Sequence, residues 1–138
     1  MLTFDDIERA YIFVSSEQKY GNSAVVNPET GKIFYKSDLS GIDEIPEDID
    51  EFPEKYIAIP HEDDLDLGRN LVFEFVRNYL PDQFENVRNI FRDRGAYRRY
   101  KFLLIKVGML EAWYQFENDK TNSVLRKWCQ ENGLQLAD

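Results

Sequence analysis

The residues Arg92-Asp93-Arg94-Gly95-Ala96-Tyr97-Arg98-Arg99-Tyr100-Lys101 bring cations and aromatic rings together in one short run. Between residues 88 and 106 there are seven Lys or Arg and one acid, Asp93, in a chain whose net charge is −9. Guanidinium groups fork onto carboxylate or phosphate oxygens, and neighbouring rings add rigid apolar area. Such side chains serve one of three ends: internal ion pairs, a protein interface or a phosphate site.

Spacing narrows the choice. On a helix over residues 96–107, Ala96, Tyr97, Tyr100, Leu103, Leu104 and Val107 share one face. Arg98, Phe102 and Ile105 share the other, at i, i+4 and i+7. A helix apolar on two sides is either enclosed by its own fold or presents a face to a partner. Arg94, Arg98, Arg99, Lys101, Phe102 and Ile105 are therefore the candidate binding residues, with Tyr97 and Tyr100 expected in the core. Enclosure would instead pack Phe102 and Ile105 under the last helices and pair Arg98 and Arg99 with carboxylates of the acidic residues 1–66; Glu117 is a further candidate partner for either arginine.

A second cluster, His61-Glu62-Asp63-Asp64-Leu65-Asp66, follows an apolar run. Hard carboxylate oxygens after a strand suit magnesium, which would make residues 62–66 the seat of a metal-dependent enzyme. The simpler expectation is that Asp64 or Asp66 caps a helix and complements its dipole. The spacing is not that of a calcium loop. His61 and Cys129 are single copies of their kinds and lie far apart, so local nucleophile–base chemistry has no support. Neither a Gly-rich phosphate loop nor a Cys/His zinc pattern occurs, and no cofactor is expected.

These residues need elements to hold them. Residues 3–16 read as a helix, capped by Thr3 with Asp6 three residues on and buried through Phe4, Ile7, Tyr11 and Val14. Asn27-Pro28-Glu29-Thr30-Gly31 between two β-rich runs predicts a hairpin closed by a positive-φ glycine. An acidic connector follows, broken by Pro46 and Pro53, then a third strand over residues 56–60. From there the chain reads as helical. One helix is expected to about Tyr79 with Gly68 inside it, and a second from Pro81 to about Arg92. The basic helix comes next, ended by Gly108; a helix to Phe116 and a last one to Asn132 follow, separated by Asn118-Asp119-Lys120-Thr121. The expected fold is α+β: a small three-stranded antiparallel sheet, the hairpin plus one strand, packed against five or six helices.

The 138 residues suit a single globular domain. Its acidic α/β half, residues 1–66, carries 5 Lys or Arg against 17 Asp or Glu, while the helical half, residues 67–138, carries 12 against 9. The average acidity argues against a general nucleic-acid binder, while the uneven distribution leaves room for one basic face. No apolar run approaches the roughly 18 residues that span a bilayer, so no membrane partner is expected. One cysteine and an N-terminus without a leader pattern point to the cytoplasm.

Five motifs occur in order: Asn27-Pro28-Glu29-Thr30-Gly31; Leu65-Asp66-Leu67-Gly68; Gly95-Ala96-Tyr97-Arg98-Arg99-Tyr100-Lys101; Trp113-Tyr114-Gln115-Phe116-Glu117; and Leu125-Arg126-Lys127-Trp128-Cys129-Gln130-Glu131-Asn132-Gly133. Together they resemble a bacterial family of small proteins of unknown function, uncharacterised protein family 0158, over residues 24–133. The resemblance implies a bacterial cytoplasmic protein of one domain. It carries no activity, substrate, cofactor or catalytic residue. The leading expectation is a non-enzymatic interaction module, or a homodimer, built on the basic-aromatic helix. Nucleic-acid or phosphate binding through residues 94–101 ranks second, and the metal-dependent enzyme third.

Overall fold

A computed structural model describes residues 1–137 and contains, among them, five α-helices and one four-stranded antiparallel sheet. The α+β class is as expected. The chain forms two compact units: residues 1–65 with those from Val124 onward, and residues 66–123.

In the first unit, α1 (Phe4–Ser15) begins at a full capping box. Asp6 N–H donates to the Thr3 hydroxyl at 3.1 Å, and Thr3 N–H donates to the Asp6 carboxylate at 3.0 Å. Strands β1 (Asn22–Val26) and β2 (Ile33–Ser37) form the hairpin, with Val26 opposite Ile33. Asn27 Oδ1 accepts from Glu29 N–H at 2.9 Å, and Gly31 adopts φ 75°. A Cβ on Gly31 would also lie 3.0 Å from the Leu2 backbone nitrogen, so both its dihedral and its space exclude a side chain. The third expected strand is β4 (Ile57–Ala58), on the other side of β1. A short strand inside the acidic connector, β3 (Ile42–Asp43), completes the order β3-β2-β1-β4. A strand of two residues carries no periodicity, so the acidic connector reads as loop in the sequence. The buried α1 side chains Ile7, Ala10, Tyr11 and Val14 and the β1 side chains Ala24 to Val26 make this unit's core.

The second unit holds α2 (Arg69–Tyr79), α3 (Phe84–Ile90), α4 (Ala96–Val107) and the first part of α5 (Leu110–Glu131). Its core is a chain of aromatic edges. Tyr100 meets Phe91 at 5.8 Å and Trp113 at 5.2 Å, and Trp113 meets Phe75 at 5.4 Å between ring centroids. Each buried ring removes enough apolar surface from water to contribute about 1.5–3 kcal/mol.

Two boundaries differ from expectation. Gly68 is not inside α2 but stands before it as the N-cap, without a side-chain cap. Asp64 is committed to the turn at residues 61–64, and Asp66 takes a left-handed φ of 58° and accepts from Asn70. The expected break at residues 118–121 is absent: α5 runs through it. Asn, Asp and Thr each cost only a few tenths of a kcal/mol in a helix interior. Gln115 offsets this by donating to Asp119 at 2.9 Å, and Lys120 pairs with Glu74 at 2.9 Å.

Candidate functional site

Helix α4 is delimited by two glycines in left-handed conformation, Gly95 at φ 73° and Gly108 at φ 74°. A Cβ at either would meet nothing within 4 Å, so it is the dihedral alone that calls for glycine. Between them the helix buries Ala96, Tyr100 and Leu104 at i, i+4 and i+8. Tyr100 is an anchor, as expected. Tyr97 is not: it stands 43% exposed, its ring edge-on to Phe91 at 5.1 Å.

The opposite stripe is open. Phe102 is 63% exposed and Ile105 58% exposed, so the enclosure of this face by the chain's own last helices is overturned. Arg94, Arg98 and Lys101 are exposed around them. Among the described residues neither Arg94 nor Arg98 has a carboxylate partner. Lys101 lies 5.6 Å from the Tyr114 ring centroid. Arg99 has a different task, donating to the Ile90 carbonyl at 3.1 Å and the Arg94 carbonyl at 3.0 Å. It ties the end of α3 to the start of α4. Past Ile105 the face continues into a hollow of about 310 Å³ lined by Leu104, Ile105, Gly108, Leu110 and Glu111.

Glu117 is not the partner of Arg98 or Arg99. Burial pushes its carboxyl above the usual range, and the nearby charge of Lys101 pulls it partly back. It also helps to raise the phenol of Tyr100, after the larger effect of burial. The Tyr100 hydroxyl is buried with no hydrogen-bond partner among the described residues.

The acidic cluster is dispersed by the fold. Asp64 Oδ2 accepts from His61 N–H at 3.0 Å, closing a turn. His61 accepts from Asp63 N–H on Nδ1 at 3.0 Å and donates from Nε2 to the Glu17 carbonyl at 2.8 Å, which sets its tautomer. The ring is a strut between two loops. Among the described residues no three His, Cys, Asp or Glu side chains gather to hold a metal ion. Cys129 is buried, and desolvation pushes its thiol up.

Two hollows were invisible to sequence reasoning. One, of about 480 Å³, has Phe75, Tyr79 and Phe116 in its wall and Asp119 and Lys120 at its rim. The other lies in the first unit against β1 and β4. Their residues come from separate segments, and no local pattern announces them.

Fold and site together define a small α+β protein that displays a basic, aromatic helix between two left-handed glycines. The profile of the Uncharacterised protein family (UPF0158) matches residues 21–138, and the chain belongs to that family. No curated protein and no solved structure matches it.

Proposed function

We propose that the chain is a non-enzymatic, cytoplasmic protein-interaction module whose α4 face docks on an apolar surface bordered by carboxylates. The supporting observation is the exposure of Phe102 and Ile105 inside a rim of Arg94, Arg98 and Lys101. Apolar side chains grouped in a polar rim are the usual make-up of a docking patch. Arginine and aromatic residues supply most of the energy at such sites. Charge selects the partner. Symmetric pairing of this face with itself would set cation against cation, which is unfavourable, so the partner carries Asp and Glu.

A photo-crosslinking amino acid placed at Phe102 in cells, with exposed Asp82 as the control position, tests this reading. A discrete adduct at 102 alone, lost on Arg98→Glu, is the expected result. An adduct insensitive to Arg98→Glu and Lys101→Glu together, or none above the control, overturns it. Light scattering on the purified chain shows whether a second copy is the occupant.

Nucleic acid is the second reading, favoured by Tyr97 and Phe102 standing exposed between cations, as on single-strand platforms. Anisotropy with short RNA and DNA at low salt should then show binding that weakens steeply with salt and with Arg98→Ala and Lys101→Ala. No binding at low salt ends that reading.

A further inference from the structure

The chain carries a second exposed apolar patch, and its charge is opposite to that of α4. In the first unit Asp38 N–H donates to the Gly21 carbonyl at 3.2 Å, which brings Tyr20 and Leu39 to the same end of the β1–β2 hairpin. Tyr20 is 84% exposed and Leu39 81% exposed, the highest values of any large apolar side chain after Met1 among the described residues. Ile42, opposite Ser37 across the β2–β3 turn, is exposed as well. Tyr20 also holds φ 78°, which a bulky residue rarely adopts without a local reason. Its ring takes no part in the core, so core packing is not that reason.

Carboxylates border this patch. Between Lys36 and Lys55 the chain holds eight Asp or Glu and no Lys or Arg. None of residues 38–55 is buried, so the charge of this segment stays at the surface. Lys19, beside Tyr20 in the chain, is already paired with Asp64. Residues 88–106, by contrast, hold seven cations and one acid.

We infer that the occupant of the α4 face is the Tyr20–Leu39 patch of a second copy of this chain, in a head-to-tail contact. The inference rests on α4 being a docking surface and names what docks there. Phe102 and Ile105 meet Tyr20, Leu39 and Ile42, while Arg98 and Lys101 meet Asp38 and Asp43. Pairing like with like is unfavourable at both faces: α4 would set cation against cation, and the hairpin end carboxylate against carboxylate. The crossed pairing joins opposite charges and covers apolar area on both sides. Such a contact is heterologous, so two variants that each lack a different face can complement one another.

Sedimentation of the purified chain, of Leu39→Asp, of Phe102→Asp and of the two variants mixed in equal amounts tests it. Both substitutions fall at exposed positions, and unchanged circular dichroism checks the folds. The wild type should exceed the mass of one chain at about 100 µM and return toward it as salt is raised. Each variant alone should associate at least about tenfold more weakly, because a charge now stands in the apolar centre of one face. The mixture should recover a complex of two chains and nothing larger, since one intact face of each kind remains. The inference is overturned if the wild type is monomeric up to about 1 mM, if either variant associates as well as the wild type, or if the mixture does not associate. A monomeric wild type whose position 102 still crosslinks to a different protein overturns the self-contact alone and leaves the α4 docking reading standing.

Discussion

The two stripes of α4 both carry large apolar side chains and have opposite fates. Leu104 is wholly buried, and Ile105, the next residue, is 58% exposed. Tyr100 meets Phe91 and Trp113, whereas Phe102 stands 63% exposed. A stripe is core when partners cover it, and a surface when they do not. Side-chain chemistry alone does not separate the two, so energetics should.

The widest gap is between adjacent residues. Leu104→Ala should destabilise the protein by about 2–5 kcal/mol through lost transfer energy and a residual cavity. Ile105→Ala should change it by less than about 0.5 kcal/mol, with helix propensity slightly favouring Ala. Urea unfolding of both variants measures this directly; equal losses would mean that Ile105 is covered in solution and that the exposed stripe is not a surface.

Tyr100→Phe sharpens the buried side. Removing a hydroxyl that has no partner should raise stability by roughly 1 kcal/mol, read as a higher urea midpoint at unchanged slope. A loss of stability would show that a bound water satisfies the hydroxyl.

The smallest effect depends on pH. Burial raises the folded-state pKa of Glu117, so the folded protein holds that proton more tightly than the unfolded chain. The stability tied to the protonated form is complete below the ordinary carboxyl range and is lost as pH rises through the raised value. Glu117→Gln, which stays neutral, should therefore gain on the wild type as pH increases from about 4 to 7. A difference that does not vary with pH would place Glu117 in solvent, on the open side of the helix.

Local structure was largely legible. The Thr3–Asp6 capping box, the turn from Asn27 to Gly31, and the two glycines around α4 are decided by neighbours in the chain. Where sequence reasoning failed, distant groups had intervened. Residues 118–121 carry every sign of a break except Gly or Pro, and Lys120 finds Glu74 across the second unit. Asp64 looks like a helix cap, yet Lys19 and His61 N–H claim its carboxylate. Tyr97 sits on the apolar arc by angle and still stands half in solvent.

Of the candidate site, the sequence by itself determined the residue types, their spacing and the helix that carries them, because dihedral preference and 3.6-residue periodicity are local properties. Tertiary structure alone decided that Phe102 and Ile105 lie open and that Arg99 serves the backbone rather than a partner. Burial and hydrogen-bond completion depend on which distant segments arrive, and no local pattern encodes that.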